Sequence, residues 1–284
     1  MLIEHSQETI DTASVKAPLK LQKIVIAYDG SNSAKRALHD AELLAFQHHA
    51  ELLILFVDGA DAISEETGLS NAANASLQVT AHGIHNQWIH RIGAVHEVIH
   101  EVCCDFAADL LMIGAYGHGS QERQTLGSST EKLLRTESCP VLTYGPAVAQ
   151  DLFARERGGP VLFTIALPCI PAQLPKALSL IKLFDVSIEV FHTVAGPRRH
   201  DAHWFENECL SVAKSFREQG VHAQWNVVYG DPALSICNMS DQIKSPFILM
   251  PLKRRNELST TTSDNVAARV VRRATVPVLS YRFN

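Results

Sequence analysis

Residues 109–129 read DLLMIGAYGHGSQERQTLGSS. The apolar run at the start is typical of a strand buried on both faces of a parallel sheet. A glycine-rich loop follows, and Ser128 and Ser129 stand where a helix is predicted to begin. Glycine lets the backbone adopt positive φ and lets a ligand approach closely, while N–H groups at a helix start attract anions. The stretch therefore predicts a strand, an anion-binding loop and a helix, in that order.

The same alternation of strand and helix extends through residues 21–145. Apolar or alternating runs predict further strands at KIVIA (23–27), LLILFV (52–57), QWIHRIG (87–93) and PVLTY (140–144). Segments with apolar residues at helical spacing lie between these strands. Strand–helix alternation at this spacing predicts parallel βαβ units and a doubly wound, five-stranded domain.

The order of strands and helices restarts near residue 160. Landmarks in the two halves are separated by one constant offset, without a gap. These pairs are Trp88 with Trp225, Gly93 with Gly230, and Pro140 with Pro277. An offset that stays constant from the first of these pairs to the last indicates a tandem duplication.

The sequence thus predicts an α/β fold with two tandem Rossmann-like domains, each a five-stranded parallel sheet with helices on both faces. The predicted boundaries are an N-terminal extension (1–20), a first domain (21–145), a linker (146–159) and a second domain (160–284). The closing strands PVLTY and PVLSY are expected near an internal domain interface that forms a pseudo-dimer. Association of two chains into a homodimer is left open.

Composition and charge restrict the class of protein. A net charge of −5 and a pI near 6.3 argue against nucleic-acid binding, which usually shows a basic surplus. The sequence shows no signal peptide and no apolar run of about 18 residues, so neither secretion nor membrane insertion is expected. The six cysteines form no CxxC pair, which favours reduced thiols in a cytoplasmic protein.

The glycine loop has the spacing Gly114-x2-Gly117-x9-Gly127-Ser128. This is not the phosphate-binding GxxxxGK[ST] motif, and it follows a fourth strand rather than a first one. The sequence resembles the universal stress protein family, whose nucleotide-binding members carry G-x2-G-x9-G-(S/T) at this place in an adenine-nucleotide-hydrolase-like unit. The resemblance extends to the Asp-Gly-Ser after the first strand, to Gly93 and to Asp109.

The resemblance implies ATP in the first domain, with a divalent ion such as Mg2+ compatible with the phosphate path. By this resemblance Asp29 contacts the adenosine, and Val57 meets the adenine through its backbone. Gly114 and Gly117 line the ribose and phosphates. The residues that hold phosphates are Gly127, Ser128 and Ser129.

The second domain departs from this pattern. With the same offset, Pro251 replaces Gly114 and Arg254 replaces Gly117. Asp264–Asn265 replaces Gly127–Ser128, and alignment of the first helices places Cys169 opposite Asp29. Proline lacks an N–H, arginine fills the space of a glycine, and an aspartate repels phosphate. One nucleotide per chain is therefore expected.

Three functions are compatible with these observations. The resemblance favours a stress-response protein that binds ATP and hydrolyses it slowly or not at all, since no general base stands out beside the phosphates. The alternatives are an enzyme that processes adenylyl or phosphoryl groups on the same fold, and a ligand-free scaffold that binds a protein partner. Nothing in the sequence identifies a catalytic residue.

One further motif, HEVIH (96–100), matches the helical HExxH of zinc peptidases. The apolar stripe of its helix places both histidines on the solvent side, and the second domain has neither. A catalytic zinc site is therefore not predicted. His96, His100 and Cys104 do lie along one helical stripe, which leaves open whether this surface binds a metal.

Overall fold

A computed structural model describes residues 20–59, 65–116, 126–148, 158–169, 171–195, 202–253 and 266–283. Within these ranges the chain alternates strands and helices in two successive halves, which are called here the first half (20–148) and the second half (158–283). The strands of the first half are β1 (Lys23–Ala27), β2 (Glu51–Asp58), β3 (Asn86–Ile92), β4 (Leu110–Gly114) and β5 (Val141–Tyr144). Its helices are α1 (Asn32–His48), α2 (Glu65–Ala81), α3 (Val95–Phe106) and α4 (Ser128–Thr136).

The second half repeats this order. Its strands are β6 (Val161–Thr164), β7 (Ile188–Val194), β8 (Ala223–Tyr229), β9 (Ile248–Lys253) and β10 (Val278–Phe283). Its helices are α5 (Leu174–Leu183), α6 (Ala202–Glu218), α7 (Pro232–Gln242) and α8 (Val266–Arg273), and a short 3₁₀ turn (Pro171–Gln173) precedes α5.

All ten strands join one continuous sheet in the order β3-β2-β1-β4-β5-β10-β9-β6-β7-β8. Pairing is parallel inside each half, as the buried apolar runs predict. The halves meet where β5 and β10 pair antiparallel, with Leu142 opposite Leu279. The predicted fold class is confirmed, and the predicted internal pairing of the closing strands is observed as a shared sheet.

Helices cover both faces of this sheet. On one face α1, α2, α5 and α6 pack on a core that includes Leu44, Val79 and Phe216. On the other face α3, α4, α7 and α8 pack on a core that includes Val102 and Leu133. Since equivalent helices share a face, the two halves are related by a pseudo-twofold axis perpendicular to the sheet.

Backbone geometry supports the duplication residue by residue. Gly93 and Gly230, which are matched by the constant offset, have φ of 156° and 149°. Ala107 and Lys244, at the same offset, both lie just after a helix and adopt the left-handed region, with φ of 53° and 54°. A non-glycine residue rarely adopts that conformation, so its recurrence at matched positions indicates a common local structure.

The antiparallel joint has a consequence for ligand sites. In open parallel sheets, ligands bind at the carboxyl ends of the strands. Because β5 and β10 run in opposite directions, the carboxyl edges of the two halves face opposite ends of the molecule.

Among the described residues, no helix combines the length and the apolar character that crossing a bilayer requires.

Candidate functional site

The carboxyl end of β1 forms a tight turn that starts α1. The Asp29 carboxylate accepts a hydrogen bond from the Ser31 N–H at 2.9 Å. Gly30 between them has φ of 77°, which glycine adopts without steric cost. Ser31 then caps α1, since its hydroxyl accepts from the Ala34 N–H at 3.2 Å. The Asp-Gly-Ser motif thus fixes Asp29 at the mouth of the sheet.

The end of β4 lies directly against the start of α1. A Cβ at Gly114 would lie 2.7 Å from Ser33 Oγ and 3.1 Å from the Ala34 nitrogen. The Ser33 hydroxyl also donates to the Tyr116 carbonyl at 3.4 Å. Gly114 is therefore explained by the packing of strand against helix, whether or not a ligand passes beside it.

Gly114→Ala should destabilise the chain by about 1–2 kcal/mol, because the Ala34 backbone must move to admit a methyl group. Adding Ser33→Ala should recover part of this loss, since the closest clash is with the Ser33 hydroxyl. Chemical denaturation of both single variants and the double variant measures the coupling. Strict additivity of the two changes would contradict this contact.

The far end of the glycine loop returns to β4. The Gly127 N–H donates to the Ala115 carbonyl at 3.3 Å, and the Thr130 hydroxyl reaches the same oxygen at 3.3 Å. A Cβ at Gly127 would lie 3.0 Å from that carbonyl oxygen. The loss of this glycine in the second half therefore does not by itself show that it binds phosphate in the first.

The helix start itself is suited to an anion. Gly127 is the N-cap of α4, and no described side chain caps the helix there. Ser128 is exposed and Ser129 half-buried, and both lie in the first turn of α4 at the positive end of the helix dipole. This is the arrangement that commonly receives phosphate groups in proteins.

Val57 lies near the end of β2, one strand away from Asp29. It is half-buried, and its backbone is opposite Arg91 of β3. The next residue, Asp58, pairs with His90 at 2.9 Å, and both side chains are largely buried. No motif in the sequence marks this pair; the only signal is that residues 56, 58 and 90 lie on one face of the sheet by strand alternation.

Two tyrosines accompany these groups. Burial raises the pKa of Tyr28, and the Asp29 charge raises it further. Burial also raises the pKa of Tyr116, although the positive charge of Arg272 opposes the shift. Both phenols therefore stay neutral hydrogen-bonding groups at ordinary pH. Arg272 belongs to α8, so a cation of the second half lies near the end of β4 in the first.

The second half differs at its own carboxyl edge. Cys169 is the residue that alignment of the first helices matches with Asp29. Its Sγ accepts from the Gln173 side-chain amide at 2.8 Å, and burial raises the pKa of its thiol. Here a 3₁₀ turn without a side-chain cap precedes α5, in place of the serine-capped start of α1. Pro251 replaces Gly114 inside β9. That this edge binds no nucleotide stays a prediction.

Gly114 packs against the start of α1, which follows Asp29, and Gly127 returns to Ala115 after β4, with Ser128 and Ser129 next in the chain. Val57 lies on β2, the strand beside β1. Gly117 lies outside the described residues, as do Arg254, Asp264 and Asn265 of the second half. The role of each of these residues toward a nucleotide stays a prediction.

The HEVIH segment lies on α3, where Glu97 is exposed and His96 is half-buried. His100 turns its Nδ1 toward Glu137 at 3.0 Å, and its Nε2 is 3.9 Å from Cys104 Sγ. Among the described residues, the only close group of three metal-ligand side chains is another one, which consists of Cys103, Glu137 and Cys139.

Comparison with known proteins gives the same assignment along most of the chain. The model of the universal stress protein family matches residues 20–145 and again 174–282. A universal stress protein of Thermus aquaticus is 31% identical over 130 residues, which cover 42% of this chain and 95% of that protein. One of Synechocystis is 30% identical over 124 residues, or 44% of this chain, and the match spans only 42% of that protein's length.

A solved structure extends the likeness to both halves. A universal stress protein from Archaeoglobus fulgidus superposes with a TM-score of 0.68 over 92% of this chain and 98% of its own, at 16% identity. At that identity the likeness shows the fold alone. The two matches of the family model show more, and the chain belongs to the universal stress protein family as a tandem member with two family units.

Proposed function

We propose that this protein binds one ATP per chain at the carboxyl edge of the first half, and that it serves as a nucleotide-responsive protein in a stress response. The observation that carries the proposal is the start of α4. It has no described side-chain cap and presents Ser128 and Ser129 beside the end of β4. A polyphosphate would satisfy the free N–H groups there.

The other groups at this edge suit the rest of the nucleotide. Asp29 is held by the Ser31 N–H at the end of β1, where its second carboxylate oxygen can accept from a ribose hydroxyl. Val57, one strand away, would meet the adenine through its backbone. Gly114 leaves the end of β4 without a side chain, and Gly117 is proposed to extend the open path. Mg2+ beside the phosphates would neutralise part of their charge.

The second half supports a stoichiometry of one. It has Cys169 opposite Asp29 and Pro251 opposite Gly114, and its first helix lacks the serine cap. A thiol cannot replace a carboxylate as a strong acceptor, and proline offers no N–H. The second half is therefore proposed to complete the internal pseudo-dimer rather than to hold a second nucleotide.

Slow or absent hydrolysis is part of the proposal. Asp58, at the end of β2, and His90 of β3 form an acid–base pair on neighbouring strands and engage each other at 2.9 Å. A base already paired in this way is poorly placed to activate water at a phosphate near α4. Binding and release of ATP would then provide the signal.

Isothermal titration of the nucleotide-free chain with ATP and Mg2+ tests this proposal. We expect one site per chain, and we expect Asp29→Ala to weaken affinity at least tenfold. Cys169→Ala changes the matched position of the second half and should leave affinity unchanged. Thermal melting of both variants separates a lost ligand contact from a disturbed start of α1, where Asp29 also holds Ser31.

The alternatives give different results. Steady release of phosphate or AMP at many turnovers per minute would support an enzyme on the same fold. No heat with ATP and no nucleotide in native mass spectra of the untreated chain would support a ligand-free scaffold. Two sites per chain, or equal losses in the two variants, would contradict the assignment to the first half.

A further inference from the structure

A second cluster of reactive side chains lies at the opposite edge of the first half, away from the proposed nucleotide site. Cys103 belongs to the last turn of α3, Glu137 is the C-cap of α4, and Cys139 precedes β5. One ligand atom from each of the three lies within 4.8 Å of the other two. Helix α3 and the α4–β5 connection thus bring two sulfurs and a carboxylate to one point.

The burial of Glu137 calls for a partner. This residue is only 1% exposed, and Cys103 is 4% exposed. The described side-chain partners of Glu137 are His100 Nδ1 at 3.0 Å and the Cys139 thiol at 3.8 Å, and no lysine or arginine is among them. Burying a carboxylate away from water is costly unless a cation or strong donors compensate.

The second half shows that the fold does not require these side chains. At the offset that relates the two halves, Cys103 corresponds to Ser240, Glu137 to Ala274 and Cys139 to Val276. All three replacements are at most 1% exposed, as buried as Cys103 and Glu137, whereas Cys139 is half-buried. An alanine and a valine therefore satisfy the packing there, and a buried glutamate between two cysteines needs another explanation.

We propose that Cys103, Glu137 and Cys139 form a zinc site, with His100 as a positioning residue that orients the Glu137 carboxylate. Two thiolates and a carboxylate suit zinc, whereas magnesium and calcium prefer oxygen ligands alone. Around a tetrahedral zinc with Zn–S bonds of about 2.3 Å, two sulfurs lie about 3.8 Å apart. The two sulfurs, which lie within 4.8 Å of each other, therefore need to approach by no more than about 1 Å.

The chemistry of the site balances. Zinc replaces the two thiol protons, which pass to solvent, so the two thiolates and the carboxylate hold one divalent cation. Cys139 is half-buried and the neighbouring Ser138 is exposed, which leaves a side from which a metal and a water ligand can enter.

The site also touches the second half. Lys176 of α5 donates from its Nζ to the Ser138 carbonyl at 2.9 Å, and its charge lies close to Cys139. A metal here would fix the α4–β5 connection directly beside the joint between the two halves. This inference does not depend on nucleotide binding.

The test uses the full chain, reduced with a phosphine and stripped of metal by a chelator. Zinc titration in competition with a chromophoric chelator should show one tight site per chain. Cobalt(II) should give the near-ultraviolet absorption of thiolate ligation. Cys103→Ser, Cys139→Ser and Glu137→Gln should each weaken zinc binding at least 100-fold, and His100→Ala about tenfold or more.

Two cysteines serve as controls. Cys104→Ser removes the exposed neighbour on α3, and Cys237→Ser removes a buried cysteine from the second half; both should bind zinc within threefold of the unmodified chain. Equal loss in Cys104→Ser would point to the surface of His96, His100 and Cys104 and overturn the proposal. A cobalt spectrum of the unmodified chain without thiolate bands would overturn it as well, independently of how the variants fold. So would a Cys103–Cys139 disulfide that, once reduced, leaves no metal affinity.

Discussion

Gly145→Ala should lower the stability of the chain by about 3 kcal/mol and its melting midpoint by roughly 10 °C. Gly145 follows β5 at the joint between the halves, and a Cβ there would lie 2.0 Å from the Val271 carbonyl oxygen of α8. That oxygen belongs to a helix backbone and cannot rotate away. The methyl group would have to push α8 from the sheet or separate β5 from β10.

Gly158→Ala is the matched control, because a Cβ at Gly158 has no atom within 4 Å. This variant should melt within about 1 °C of the unmodified chain. Differential scanning calorimetry of the two variants measures the difference directly. If Gly145→Ala and Gly158→Ala had the same melting midpoint, the close contact of Gly145 with α8 would not exist in solution.

Ser129→Asp should reduce ATP affinity about 100-fold while it leaves the fold intact or slightly more stable. Ser129 lies in the first turn of α4, where a negative charge interacts favourably with the helix dipole by about 0.3–1 kcal/mol. The same charge would repel the phosphates proposed to bind there, since like charges a few ångströms apart in a partly buried site cost several kcal/mol. Stability and binding are thus expected to change in opposite directions.

Ser129→Asn introduces a side chain of nearly the same size as aspartate but without charge. The affinity of this variant for ATP should therefore stay within about fivefold of that of the unmodified chain. Titration calorimetry and thermal melting of both variants provide the two measurements. Equal affinities for Ser129→Asp and Ser129→Asn would place the phosphates elsewhere. A large loss of stability in Ser129→Asp would show that the first turn of α4 is not open to a charge.

Much of the architecture could be predicted because its signals are local. The apolar runs of β1, β2 and β4 and the constant offset between Trp88 and Trp225 need no knowledge of distant contacts. The same holds for the Asp-Gly-Ser turn, in which Asp29 and Ser31 interact within a single turn. For such features the spacing of apolar residues and the identity of the turn residues are sufficient for prediction.

The reasons for the glycines could not be predicted in this way. From the sequence, the loss of the loop glycines in the second half predicted that only the first half binds a nucleotide. In the structure a Cβ at Gly114 would clash with Ser33, at the start of α1, and a Cβ at Gly127 would press on the Ala115 carbonyl oxygen. Only the docking of β4 on the start of α1 reveals this packing requirement.

The cysteine cluster illustrates the same limit. The sequence pattern placed His96, His100 and Cys104 on one helical stripe and drew attention to that surface. The close group instead combines Cys103 of α3 with Glu137 and Cys139, which lie beyond β4 and α4 in the chain. No motif spacing signals it, because α3 and the α4–β5 connection meet only when both pack on the same face of the sheet.

By itself the sequence determined the α/β class, the duplication and the position of the glycine loop after β4. These features depend on apolar runs, helical spacing and turn residues, which are all local in the sequence. Tertiary structure alone decided that β5 and β10 join the halves antiparallel, and therefore that their carboxyl edges face opposite ends. It also decided which distant side chains meet, since contacts between elements depend on how helices and sheet pack rather than on spacing along the chain.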